Sequence, residues 1–504
     1  MKTIISLDIG TSSMRAVVFD PAGRALFQAS SEYHTIFPRP AYVEQRPETW
    51  RDAARKTLSA AGAFLSRQGA EALAISVTSQ RASLIPMGAD DVPLCNAIMW
   101  QDKRTIPVCQ RLIRDQGLEP LYRKTGLRVN PFFVLNKILW LRENQPELFR
   151  SVKKFVGVQD YVVLQLTGRY VTDWTQASRT MLMDLERFQW DPELLALAGV
   201  GEEQLCALAP PGASAGELRR DFAADCALPA GIPVILSGGD QQNAALALGI
   251  THPGAAEANT GTGSFVLSYS DRPVFEPDCR VLCQASAIAG KYMAETSIFN
   301  TGSVFRWFKE QFFPELADAP DAYARMDALA QASPAGSHDV IMLPHFEGSA
   351  APHWNPMAKG VFFNLGLGRT RGDLTRSILE GIALEIADNL RLMQGMIGRI
   401  DRVSVAGGMA RSDLFCRIQA DAFQTIVLRS PHAEATALGA FLNAAVSLGL
   451  YADHAAALDA AAAEPEVFQP IAALAPVYQR LGVLRDSLYG ALDRGGVYQT
   501  FMDG

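Results

Sequence analysis

Ile4-Ile5-Ser6-Leu7-Asp8-Ile9-Gly10-Thr11-Ser12-Ser13-Met14-Arg15-Ala16-Val17-Val18-Phe19-Asp20 is an apolar run, a small-residue turn and a second apolar run. The pattern predicts a β-hairpin whose tip carries hydroxyls and backbone N–H groups, with Asp8 near the end of its first strand. A second stretch, Val234-Ile235-Leu236-Ser237-Gly238-Gly239-Asp240-Gln241-Gln242-Asn243-Ala244-Ala245, reads as a buried strand running through two glycines into a polar element. An acid thrown off a strand end beside glycines is well placed for chemistry.

The hairpin has an echo. Asn259-Thr260-Gly261-Thr262-Gly263-Ser264-Phe265-Val266-Leu267 repeats its scheme, with Thr and Gly between apolar strands. Later in each half another strand meets a polar or glycine turn, Ala74 to Arg81 in the first and Val403 to Ser412 in the second. Two related α/β halves follow, residues 1–246 and 247–504. The length of 504 residues agrees, because single cores stop growing beyond about 250–300 residues. Apolar positions from Leu374 to Leu390 recur at three- and four-residue spacing, predicting a helix that faces a sheet. The glycine-free, alanine-rich tract Ala455 to Ala463 is read as a packed helix rather than a linker.

Composition narrows the class. Apolar residues make up 48% and charged residues 20% of the chain, and no stretch approaches the ~18 uninterrupted apolar residues of a membrane helix. Asp8 and Gly10 interrupt the N-terminal apolar run too early for a signal peptide. Seven scattered cysteines without Cys-x-x-Cys indicate neither a disulfide framework nor a zinc site, and suit a reducing cytoplasm. The net charge of −7, with dispersed Lys and Arg, offers no basic field for nucleic acid. An acidic protein that handles nucleotide must bring magnesium and local donors.

One Gly-Thr-Gly turn is weak evidence for phosphate, since most such turns serve tight backbone geometry. Here three glycine-rich turns, at Gly10, Gly261 and Gly407, follow apolar strands, and two have an acid nearby. Phosphate needs backbone N–H donors that a side chain would obstruct, and magnesium needs hard carboxylate oxygen. The Walker pattern Gly-x-x-x-x-Gly-Lys-Ser/Thr is absent.

Asp8-Ile9-Gly10-Thr11, Gly238-Gly239-Asp240-Gln241-Gln242, Gly261-Thr262-Gly263 and Ala406-Gly407-Gly408-Met409-Ala410-Arg411-Ser412 resemble, in order, the motifs of the FGGY carbohydrate kinases. The segments Ala97 to Arg104, Lys137 to Leu141, Pro352 to Pro356 and Gly360 to Phe363 extend the resemblance over nearly the whole chain. It implies two ribonuclease-H-like (actin, sugar kinase, heat-shock ATPase) α/β domains around a cleft that holds nucleotide and sugar. Asp240 would be the general base on the acceptor hydroxyl, and Asp8 with Asp240 would hold hydrated Mg2+. Thr11, Ser12, Arg15, Gly261 and Thr262 would surround the ATP phosphates, and Gly302, Arg306, Gly407, Gly408 and Ser412 would border the adenosine. Phosphoryl transfer asks mainly for positioning, charge neutralisation and a carboxylate near the nucleophile.

On the acceptor side the resemblance assigns Gln80, Arg81, Trp100, Phe132, Asp240 and Gln241. Thr78-Ser79-Gln80-Arg81-Ala82 and Trp100-Gln101-Asp102 are similar to the glycerol kinase version of the family, but Ala82 stands where that version has Glu and Phe132 where it has Tyr. The turn at Ala406 to Ser412 is similar to xylulokinases as much as to glycerol kinases. The expected activity is an ATP- and magnesium-dependent phosphotransferase acting on a small sugar or polyol of three to five carbons. Glycerol kinase or xylulokinase proper, a non-catalytic binding regulator and an actin-like ATPase stand as alternatives, and a homodimer is left open. His34, His252, His338, His345, His353, His432 and His454 show no metal-binding spacing such as His-x-x-x-His and are assigned no catalysis.

Overall fold

The computed structural model describes residues 1–431, 434–461 and 463–501. Its first half is built on β1 (Lys2–Ile9), β2 (Ser13–Phe19) and β3 (Ala25–Glu32), the helix α1 (Pro47–Gln68), β4 (Glu71–Ser79), β5 (Ser214–Glu217), β6 (Pro233–Gly239) and α2 (Asp240–Ala247). The expected hairpin forms, with Ile4 opposite Phe19 and Ile9 opposite Met14. The six strands lie in the order β5-β6-β4-β1-β2-β3. β1 runs parallel to β4, and β4 parallel to β6, so Ile9, Ser79 and Gly239 finish at the same edge of the sheet. Residues 3 to 9 of β1 are all buried, Thr3, Ser6 and Asp8 included, as a central strand covered on both faces requires.

The second half repeats the plan with β7 (Ala255–Thr260), β8 (Ser264–Ser270), β9 (Leu282–Ala285), β10 (Tyr292–Ile298), α3 (Gly302–Phe312), α4 (Arg371–Ile397), β11 (Arg402–Ala406), β12 (Ile426–Arg429), α5 (Ala435–Ser447), β13 (Glu466–Phe468) and α6 (Ala475–Arg494). Its seven strands are ordered β9-β10-β8-β7-β11-β12-β13. β7 and β8 form the echoed hairpin, and β7, β11 and β12 are parallel. α4 contains the predicted 374–390 segment and packs against β8 and β10. The alanine-rich tract is helical over His454–Ala461; Ala462 lies outside the described residues.

The halves interlock through α5, which belongs to the second half in sequence yet packs across β1, β4 and β6 of the first sheet. α2 and α5 meet where Gly439 leaves the backbone bare: a Cβ there would lie 1.9 Å from the Asn243 carbonyl oxygen. Ser76 and Ser237 both donate to the Ala440 carbonyl, at 2.7 and 3.2 Å. Among the described residues no helix is long and apolar enough to cross a membrane.

Candidate active site

Three adjoining cavities lie along the strand ends. The first, of about 200 Å³, is lined by Thr11, Gln80, Arg81, Trp100, Phe132, Asp240 and Gln241. All six residues expected to meet the acceptor are therefore brought together, from segments as distant in sequence as Gln80 and Gln241. Ala82, Arg179, Phe265, Glu295 and Trp354 are also part of the wall. Asp240 is the first residue of α2; its Oδ1 accepts from the Gln241 backbone N–H at 2.8 Å and lies 3.4 Å from Arg81 Nε. Burial raises its pKa above the usual carboxylate value, against the opposing pull of Arg81. Arg81 is itself held, donating to Gln284 at 3.0 Å and to Glu295 at 2.9 Å. Arg179 donates to the other Glu295 oxygen at 3.0 Å.

Two further contacts shape the wall. The Phe132 ring meets Trp100 edge-on at 5.7 Å, and the Trp100 indole donates to Thr11 Oγ1 at 3.2 Å. Thr11 thus sits with the acceptor cavity rather than with the phosphate turns. Beneath them the buried Lys137 donates to the carbonyls of Ala82 and Phe132, at 2.5 and 2.7 Å. Burial draws its pKa down to about 7, more than the charge of Asp102 restores.

The second cavity, of about 500 Å³, is lined by Gly261 and Thr262, expected at the phosphates, together with Gly302, Arg306, Gly408 and Ser412, expected at the adenosine, and by Phe305, Tyr323, Asp327, Leu379 and Met409; Gly407, also expected at the adenosine, lines the third cavity instead. The start of α3 is stacked on the glycine turn, the Gly302 and Ser303 N–H groups donating to the Gly261 and Thr262 carbonyls at 3.0 and 3.1 Å. Asp327 Oδ1 is buried there without a hydrogen-bond partner.

The third cavity, of about 450 Å³, is lined by Asp8, Arg15, Asn259, Gly407, Gly408, Arg411 and Glu434 among others. Gly407 has φ +88°, and a Cβ on it would come within 2.4 Å of the Thr260 carbonyl oxygen, so this turn requires glycine. Arg15 pairs with Glu434 at 3.1 Å, linking the first hairpin to the second half. Asp8 is 8% exposed. Its pKa is pushed up to about 7 by burial and by the charge of Asp240. Ser12 lies exposed at the hairpin tip, outside all three cavities.

The family model for the N-terminal domain of the FGGY family of carbohydrate kinases matches residues 3–247, and the model for its C-terminal domain matches residues 256–448. The chain belongs to this family. It is 35% identical over 467 residues to a glycerol kinase of Bordetella parapertussis, an overlap of 89% of each chain. Among solved structures it superposes on a ligand-bound xylulose kinase from Lactobacillus acidophilus with a TM-score of 0.93, at 27% identity over 99% of this chain and 100% of the other. A gluconate kinase from the same organism gives the same TM-score and identity, covering 99% of each chain. The FGGY protein is thus an ATP-using carbohydrate kinase, a phosphotransferase with an alcohol acceptor, on the two-domain α/β fold of the sugar kinases.

Sequence reading missed Gln284 and Glu295, which the FGGY fold brings to Arg81 from more than two hundred residues away, and Arg179, which joins them on the same two side chains. It also found no metal-like histidine grouping, whereas the fold sets His345 and His353 beside Glu385. His432 lies outside the described residues.

Proposed function

We propose that this kinase transfers the γ-phosphate of ATP to a neutral linear polyol or ketose of three to five carbons, with glycerol a poorer acceptor. The observation that carries the reading is the charge balance of the acceptor cavity. Its charged lining residues are Arg81, Arg179, Asp240 and Glu295, and Glu295 engages both guanidinium groups. A carboxylate acceptor such as an aldonate would find no free cation there, while hydroxyls find donors and acceptors. Ala82 and Phe132 line the same cavity without the oxygen atoms of a glycerol site.

In this reading Asp240 takes the proton of the attacking hydroxyl. Both its contacts fall on Oδ1, so Oδ2 is the oxygen left to act, and burial keeps the carboxylate basic. Arg81, held by Glu295, orients it. Asp8 and Asp240 are the residues that would hold magnesium; their fit rests on two buried, mutually repelling carboxylates, whose cost a cation relieves. Bound there, the ion would neutralise charge on the ATP phosphates. Arg15, Gly261, Thr262 and Gly407 would border the phosphates, and Gly302, Arg306, Gly408 and Ser412 the adenosine, beside the apolar side chains of Phe305, Leu379 and Met409. The division at residues 246 and 247 gives the first half the base and magnesium carboxylates and the second half most nucleotide contacts, with Phe265, Glu295 and Trp354 of the second half closing the acceptor wall; seven unpaired cysteines suit a cytoplasmic setting.

The test is coupled ADP release across glycerol, erythritol, tetruloses, pentuloses and gluconate. The highest kcat/KM should fall on a neutral four- or five-carbon acceptor, and a preference for gluconate or glycerol would overturn the assignment.

A further inference from the structure

The loop that follows Ile341–Leu343 carries His345 and His353, and Glu385 projects toward them from the middle of α4. His345 and Glu385 are almost fully buried, at 2% and 1% side-chain exposure, and His353 is half-buried. One ligand atom from each of the three residues lies within 4.8 Å of the other two. α6 supplies the surroundings. Tyr489 stacks on His353 with ring centroids 3.7 Å apart and meets His345 edge-on at 5.5 Å. Arg485 donates to Glu385 Oε2 at 2.5 Å and pairs with Asp388, which fixes the carboxylate with Oε1 turned to the histidines.

Protein groups alone satisfy this cluster poorly. His345 Nε2 and Glu385 Oε1 are 3.3 Å apart, long for such a bond, and His345 Nδ1 is buried with no partner at all. Two imidazoles and a carboxylate form a donor set suited to zinc, with a fourth position open to water. The carboxylates of Glu385 and Asp388 outnumber the charge of Arg485, so a dication is not opposed by the local field. Bonds of about 2.0–2.1 Å place ligand atoms roughly 3.4 Å apart, which asks the three groups to close by roughly 1 Å.

We propose that His345, His353 and Glu385 bind one zinc ion that ties this loop to α4. The site is separate from the carboxylates of the cleft, yet it bears on them. Trp354 follows His353 in the chain, lines the acceptor cavity and is anchored by an indole N–H bond of 3.0 Å to the Arg280 carbonyl. A metal at His353 steadies that wall without entering the reaction.

The full-length protein, stripped with chelator and dialysed against zinc chloride, should bind one zinc per chain, measured by elemental analysis, with a raised thermal midpoint. Cobalt should give the visible absorption of a four-coordinate site. His345→Gln and His353→Gln should each weaken zinc binding about a hundredfold, whereas Asp8→Asn with Asp240→Asn should leave it intact. If a histidine variant fails to fold, X-ray absorption at the zinc edge of the wild-type protein decides the matter: imidazole scattering supports the site, and an oxygen-only shell overturns it. Absence of saturable one-to-one binding, or binding that survives both histidine substitutions, also overturns it.

Discussion

Replacing Ala82 with Glu and Phe132 with Tyr tests what the acceptor cavity is built to hold. Ala82 has φ +64°, a conformation that alanine and glutamate occupy at similar cost, so the substitution adds no new backbone strain. Lys137 grips the carbonyls of both positions, so both new side chains start from a fixed floor. A carboxylate accepting from a glycerol hydroxyl contributes about 1.5–3 kcal/mol, or roughly tenfold to 150-fold, and a phenol adds about 0.5–1.5 kcal/mol. Against this stands the cost of placing another carboxylate near Glu295 and Asp240, softened by Arg81 and Arg179. The net expectation is a gain in kcat/KM for glycerol of about tenfold to several hundredfold, with a loss on the native acceptor. Coupled ADP release on glycerol and on the best four- or five-carbon acceptor measures both. A wild-type enzyme that already prefers glycerol, or a double variant whose acceptor preference does not move, would refute the reasoning.

Asp240→Asn should lower kcat by roughly a hundredfold or more with little change in ATP affinity, since it removes proton acceptance and keeps shape; retained turnover takes Asp240 out of the role of base. Asp8→Ala should raise the magnesium concentration needed for half-maximal rate and weaken nucleotide use together, and a normal magnesium titration would count against it. Glu257, on β7, has both carboxylate oxygens buried without partners, and burial with the charge of Glu295 pushes its pKa from 4.5 up to about 8. Between those values the unfolded chain loses a proton that the folded one keeps, so stability falls as pH rises, by up to about 1.4 kcal/mol per unit. Glu257→Gln removes that slope and should stabilise more at pH ~7.5 than at pH ~5 in denaturant titrations; equal gains at both would exclude the mechanism.

What could be read from the sequence was local. Hairpins announce themselves because alternating apolar runs and small-residue turns lie within about twenty residues, and Asp8 and Asp240 stand out beside glycines at strand ends. Gln80, Arg81 and Trp100 were legible through the family resemblance and do line one cavity with Asp240. The position of Thr11 was not, because its hydroxyl is claimed by Trp100, 89 residues further along the chain. Nor was Glu295, which in sequence is one polar residue in an ordinary strand and acquires meaning only when Arg81 and Arg179 arrive from the other half. His345 and His353 carry no spacing signal for the same reason, since the third group comes from α4.

The placement of Glu295 bears on how the two halves cooperate. Burial would raise its pKa, yet Arg179 and Arg81 together bring it down to about 2, so it is a firmly ionised anchor contributed by the second half. Arg81 lies just past the end of the parallel strand β4 of the first half and reaches both that anchor and Asp240. The carboxylate proposed as base therefore belongs to one half while its orienting cation is fixed by the other. Moving the sheets apart would release Arg81 from Glu295 and leave it free to close fully on Asp240, where it would lower the basicity that the transfer requires. Chemistry in this cleft is thus tied to the relative position of the halves, which α5, packed from the second half across the first sheet, is placed to hold.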